Sequence, residues 1–184
     1  MQALVSLLPE PYYQAVEDIW CEMENKFGCQ HAYIRPKPHF TWQYAEVYEN
    51  GYAETLDRVC AWLAPIEVQT DIITQFSEQD PVLFLRIVPT PGLLAVHQTL
   101  WDALKAFCKK PVLFYQPGTW IPHIPLSMDD SAWCALDEGR NFLKSKDLRW
   151  TFQVDNLTML SLNDENAWGM EKDFQFGLGE TTML

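Results

Sequence analysis

An α+β fold made of two related lobes is what this sequence predicts, and three observations predict it. Strand and helix patterns alternate along the chain but are interrupted by hairpins, which points to antiparallel or mixed sheets with helices outside. A Pro-His motif occurs once in each half, in what read as equivalent strands. No linker or low-complexity run divides the 184 residues, so one bilobal domain over residues 1–184 is expected, with two antiparallel or mixed sheets facing a central groove.

The elements follow in order. Ala3 to Leu8 is a short apolar run closed by Pro9, the pattern of a buried strand. Pro11 suits the first turn of a helix, where its missing N–H costs nothing. Ala15, Ile19, Met23 and Phe27 continue that helix at four-residue spacing, and Gly28 offers a C-terminal cap. His39 to Tyr44, entered through Pro36 and Pro38, reads as a strand. Tyr52, Leu56, Val59, Cys60 and Leu63 form the apolar stripe of a second helix.

Ile66, Val68, Thr70, Ile72 and Thr74 then alternate with Glu67, Gln69 and Asp71, the period of a half-buried strand. A turn at Glu-Gln-Asp, residues 78–80, leads through Pro81 to a strand over Val82 to Val88. Leu93, Val96, Leu100, Trp101, Leu104 and Phe107 mark a third helix. Residues 115–127 are broken by prolines and end in a short strand at His123. Ala132, Leu136 and Leu143 mark a fourth helix. Trp150 to Val154 and Leu157 to Leu162 read as strands, and a turn at residues 164–166 leads to a last strand near Phe174 and Phe176.

Composition bounds the function. Hydrophobic residues at 48% and charged residues at 21% describe an ordinary globular chain. The net charge of −12 repels polyanions at long range, so long nucleic acid is not an expected partner, whereas one phosphate in a local pocket is compatible. Five scattered cysteines without a CxxC pair fit reduced thiols and a cytoplasmic location. The apolar start at Met1 is too short, and lacks the basic residues, for a secretion signal. No stretch approaches the roughly 20 apolar residues of a membrane helix. A monomer that engages no membrane is expected.

The sharpest signal is the repeat. Pro38-His39-Phe40-Thr41-Trp42 is echoed by Pro122-His123-Ile124-Pro125-Leu126. Alternation along a strand puts His39, Thr41 and Gln43 on one face, with Phe40 and Trp42 buried behind. In the second copy it groups His123, Pro125 and Ser127, backed by Ile124 and Leu126. Lobes related by a pseudo-two-fold axis would turn both histidines to one groove. The remaining histidines, His31 and His97, read as loop and helix residues with structural roles.

This pair of motifs resembles the 2H phosphoesterase superfamily, which includes the 2′-5′ RNA ligase-like proteins and cyclic phosphodiesterases. That family carries two copies of His-Φ-Thr/Ser-Φ about half a chain apart in a bilobal α+β fold. His39-Phe40-Thr41-Trp42 matches throughout. His123-Ile124-Pro125-Leu126 matches except that Pro125 stands where the family has a hydroxyl residue. The resemblance implies hydrolysis of a 2′,3′-cyclic phosphate or a short phosphodiester in a nucleotide or RNA end, with His39 and His123 catalytic.

The chemistry suits the residues in its own right. Opening a cyclic phosphate needs a base for water and an acid for the departing oxygen. Imidazoles with an ordinary pKa of about 6.5 can be one of each near neutrality. Imidazolium and hydroxyl donors can stabilise the developing charge without a metal or cofactor, and two histidines without a third ligand make a poor zinc site. Pro125 lacks both a hydroxyl and an N–H, so Thr41 and the two histidines are the expected main phosphate donors, with Ser127, Tyr115, Lys37 and Arg86 as weaker candidates around the rim. Tyr115 and Trp120 are the expected stacking residues for a base. Lys37 and Arg86 read as surface or structural residues. Two competing readings are a non-catalytic nucleotide- or protein-binding module with a degraded second motif, and purely structural histidines.

Overall fold

The computed structural model describes residues 1–27, 37–77, 82–127, 136–163 and 168–177. Its strands are β1 (Gln2–Leu7), β2 (His39–Tyr48), β3 (Ile66–Gln75), β4 (Leu83–Ile87), β5 (Cys108–Pro111), β6 (His123–Ser127), β7 (Thr151–Val154), β8 (Asn156–Leu162) and β9 (Trp168–Gln175). Its helices are α1 (Tyr12–Phe27), α2 (Tyr52–Trp62), α3 (Pro91–Leu104) and α4 (Leu136–Lys144), with a 3-10 turn at Leu113–Tyr115. The strands form two antiparallel sheets, ordered β5-β2-β1-β8-β9 and β6-β4-β3-β7. The fold is α+β, as expected.

The internal symmetry is visible in the strand order. β1, α1 and β2 correspond to β4, α3 and β6, because each histidine strand lies beside the first strand of its own half. Later strands then cross over: β3 follows α2, whereas after α4 it is β7 that joins β3 and β8, the next strand, that changes sheet. β3 joins β4 in the second sheet, and β8 joins β1 in the first. Each half therefore lends a strand to the other's sheet.

Apolar periodicity explains which faces are covered. Val16, Ile19 and Met23 of α1, Leu56 and Cys60 of α2, and Leu93, Val96, Leu100 and Leu104 of α3 are buried. They share a core with Leu4, Phe40 and Trp42 of the first sheet and Leu83, Leu85 and Ile87 of the second. Thr90 caps α3 by accepting from Leu93 N–H at 3.3 Å, with Pro91 in its first turn. Among the described residues Cys21, Cys60 and Cys108 are free thiols, and no helix is long and apolar enough to cross a membrane.

Four strand pairs among the described residues carry a bulge, and those in β2, β3 and β6 bear on the site. Leu4 pairs with Gln43 but Val5 with Thr41, so Trp42 is an extra residue. This reverses the phase of β2, and Gln43, expected beside His39 and Thr41, is buried on the core side. In β3, Thr70 pairs with Ile87 and Ile73 with Leu85. Ile73 thus takes the inward place, and Ile72, expected inside, is 47% exposed. In β6, Pro125 pairs with Phe84 and Ser127 with Leu83, so the bulge falls at Leu126.

Other differences are of extent. β2 runs on to Tyr48, and α3 ends at Leu104 rather than Phe107. β5, absent from the sequence reading, completes the edge beside β2. The Gly28 cap, His31, Ala132 and the turns at 78–80 and 164–166 lie outside the described residues.

The closing segment is pinned by a close approach. Gly177 N–H donates to the Cys60 carbonyl at 2.8 Å, and a Cβ there would meet the Ala61 carbonyl oxygen far inside van der Waals contact. Gly177→Ala is expected to cost about 1–3 kcal/mol through the backbone shift it forces. A lowered urea midpoint at unchanged slope is the measurement.

Candidate active site

Both histidines open their strands, and both are built in the same way. His39 Nδ1 lies 2.6 Å from the Lys37 carbonyl oxygen, and His123 Nδ1 lies 2.8 Å from the Ile121 carbonyl oxygen. In each case the carbonyl belongs to the residue two positions earlier, with Pro38 or Pro122 between. Proline holds the residue before it extended, which fixes that carbonyl within reach of the ring. A carbonyl oxygen only accepts, so Nδ1 is assigned the hydrogen and Nε2 is the nitrogen that takes up and releases a proton.

Sheet register sets the surroundings. His39, Thr41 and Tyr44 share a face of β2 with Leu7, Val5 and Ala3 of β1, which pair with them. On the second sheet, His123 pairs with Arg86 and Pro125 with Phe84, so these four share a face. The apolar residues between them, Leu85 and Ile124, point into the core. β2 and β6 lie against each other where the sheets meet, which brings the two motif strands together.

His39 and Thr41 are half-buried, while His123 is buried. Phe76 meets the His123 ring edge-on at 4.9 Å, and Phe84 approaches it at 5.0 Å. Thr41 is anchored through its carbonyl, which accepts from Trp120 Nε1 at 3.0 Å. The Pro125 carbonyl accepts from Trp20 Nε1 of α1 at 3.3 Å. β6 is an edge strand, the position in a sheet where a proline without an N–H is tolerated.

The remaining expected residues are placed as follows. Tyr115 ends the 3-10 turn, with its ring 6.1 Å from that of Tyr44 on the His39 face. Ser127 ends β6 opposite Leu83; its side chain lies outside the described residues, and the bulge at Leu126 breaks the alternation that linked it to His123. Trp120 lies deeper than an open stacking residue would. It is buried, 7% exposed, and stacks on His97 at 3.9 Å and on Trp42 at 5.4 Å. It braces the strands and also lines a cavity with Phe76, Phe84 and Arg86.

His97 has the structural role expected of it. Its Nε2 faces the carbonyls of Trp42 and Tyr115 at 3.2 and 3.0 Å, and burial pushes its pKa down.

Arg86, a weaker rim candidate read as surface or structural, stands opposite His123, with its Nε donating to Asp71 Oδ1 at 3.0 Å and Nη2 to Asp71 Oδ2. Asp71, Tyr44 and Trp168 escaped the sequence reading as site residues. The bulge in β3 puts Asp71 beside Arg86. Hydrogen bonding from Arg86 holds the Asp71 carboxyl below its ordinary range. Tyr44, whose hydroxyl is pushed up by burial, and Trp168, 5.9 Å from it, wall the first sheet's side. The Leu83-Leu85-Ile87 alternation was the available signal for Arg86, since it sends the residue between them to the other face.

Comparison with known proteins agrees with this architecture. Residues 8–166 match the model of the 2′-5′ RNA ligase superfamily, and the chain belongs to that family of 2H phosphoesterases. It is similar to phosphoesterase GK0864, so named provisionally, of Geobacillus kaustophilus (strain HTA426). The two are 23% identical over 170 residues, covering 90% of this chain and 92% of that protein. Among solved structures it is similar to TT0787 of Thermus thermophilus, with TM-score 0.68, 15% identity and coverage of 97% and 98% of the two chains. It is also similar to E. coli LigT in its apo form, with TM-score 0.61, 14% identity and 96% of both chains covered. At these identities the solved structures establish the fold, and the family establishes a phosphoesterase-type function.

Proposed function

We propose that this chain is a metal-independent phosphodiesterase acting on a 2′,3′-cyclic phosphate or a short nucleotide or RNA-end phosphodiester. The observation that carries the reading is the duplicated imidazole geometry, in which Nδ1 of both histidines is tied to the carbonyl two residues back and Nε2 is the titrating atom. One neutral imidazole takes a proton from water through Nε2 as the water oxygen bonds to phosphorus. The other, as imidazolium, gives its Nε2 proton to the ribose oxygen as the phosphorus–oxygen bond breaks. The carbonyl on each Nδ1–H favours the charged form in turn, and the Thr41 hydroxyl donates to a phosphate oxygen.

LigT of E. coli has been crystallised with phosphate, 3′-AMP, ATP and NADP+, which supports nucleotide chemistry for the fold. The charge of −12 favours a small substrate over a long nucleic acid, and action as a monomer is part of the proposal. The test offers purified protein 2′,3′-cyclic nucleotides in the presence of a chelator. Turnover to a nucleoside monophosphate is expected; loss of turnover in chelator, with recovery on adding a divalent cation, overturns the metal-independent mechanism.

Pro125 favours a second reading, a nucleotide-binding module without turnover. Pro125→Thr restores the family's hydroxyl on an edge strand. An increase in kcat/KM of about tenfold, the scale of a hydrogen bond to a charged group, is expected. Tight nucleotide binding without turnover in the parent protein would favour the module.

A further inference from the structure

A cavity of about 310 Å³ opens beside His123, its lining including Phe76, Phe84, Arg86, Trp120, Ile121 and Pro122. His123 is its neighbour: Phe76 and Phe84 of its wall both pack on the His123 ring, and Arg86 pairs with His123 across the strands. Its volume is in the range of small-molecule sites, and its walls have the usual composition of such a site, apolar and aromatic with few polar groups. Phe114 and Ile121, both exposed, extend the apolar rim, and Phe114 packs on Phe76 at 5.2 Å.

Arg86 is the one charged residue among the described residues lining the cavity. Asp71 takes Nε–H and one Nη2–H and offsets the charge. A guanidinium carries five N–H donors in a planar fork. Three remain, both Nη1–H and the second Nη2–H, and one Nη1–H lies parallel to that Nη2–H as the end-on pair. A neutralised fork in an apolar cavity is poorly suited to a second phosphate. It suits two adjacent acceptors on a flat, uncharged ring.

We propose that this cavity is the subsite for the base of the nucleotide and that Arg86 makes it selective for guanine. Guanine offers O6 and N7 side by side, the pattern that an arginine fork reads bidentately. Adenine offers N7 beside an amino group, which opposes a donor to the fork. Asp71 is the positioning residue that aims the guanidinium, and Phe76 and Phe84 supply apolar ring faces. This inference rests on the reading of His39 and His123 as the phosphodiester site, and adds the recognition of what the phosphate is attached to.

Calorimetric titration of the full chain with 3′-GMP, 3′-AMP and inorganic phosphate tests it. The parent protein should bind 3′-GMP about tenfold more tightly than 3′-AMP, the lower part of the range for one bidentate contact. Arg86→Gln, and equally Arg86→Lys, which keeps the charge but not the fork, should erase that preference and leave inorganic phosphate binding unchanged. Equal or undetectable binding of the two nucleotides by the parent protein overturns the proposal. So does a parallel loss of phosphate affinity in Arg86→Gln, which would assign Arg86 to the phosphate instead. Failure of the phosphodiester reading shows separately, as phosphate affinity that is indifferent to His39→Ala and His123→Ala.

Discussion

Alanine at His39, or at His123, should lower kcat on a 2′,3′-cyclic nucleotide by about 10²–10⁴-fold, the usual contribution of one general acid or base. Because the two rings act on one displacement, the double variant should fall little below the worse single one. The pH profile makes the assignment. In the parent protein the rate falls as pH drops through the pKa of the base, which must be neutral, and falls again as pH rises through that of the acid, which must be charged. Each single variant should lose one limb of that bell. The missing limb then tells which histidine is base and which acid, a distinction the matched geometry on Lys37 and Ile121 leaves open. His123 packs on Phe76 and Phe84, so His123→Gln, closer in volume, guards against a packing artefact. Parent-like rates in both variants would remove the two-histidine mechanism.

The site's first members were legible because proline and histidine together leave a local mark. Pro38-His39 and Pro122-His123 each begin a strand, and alternation sends Phe40 and Ile124 to the core. What alternation does not carry is the bulge. An extra residue at Trp42 turns Gln43 inward, and another in β3 exposes Ile72 and brings Asp71 to Arg86. No residue preference in those runs announces a bulge, since the ladder partner that skips a residue lies elsewhere in the chain.

β5 escaped for a related reason. Cys-Lys-Lys-Pro has no apolar alternation, and it is a strand because β2 has an unpaired edge beside it. The exchange of β3 and β8 between the sheets is likewise a matter of partnership, invisible in the pattern of either strand alone. The depth of Trp120 is not legible locally, because its neighbourhood is broken by prolines and carries no periodicity. Its burial follows from His97 and Trp42, contributed by α3 and β2.

The burial of Trp120 has a measurable consequence. Trp120→Ala removes a buried ring, its stacking on His97 and Trp42, and the Nε1–H donated to the Thr41 carbonyl. Loss of a buried tryptophan side chain costs about 3–5 kcal/mol, which should appear as a large fall in the urea midpoint.

The variant should also respond differently to acid. Burial lowers the His97 pKa in the folded protein, so the unfolded chain, titrating near about 6.5, binds the proton more readily. His97 therefore contributes stability that is full above that value and is lost as pH falls below it. Opening a space over the ring in Trp120→Ala lets water reach His97 and returns its pKa toward the ordinary value. The drop in stability between pH 7.5 and 5.5 should then be smaller than in the parent protein. A variant that keeps its stability but loses nucleotide affinity would make Trp120 a wall of the base cavity and not a brace between strands.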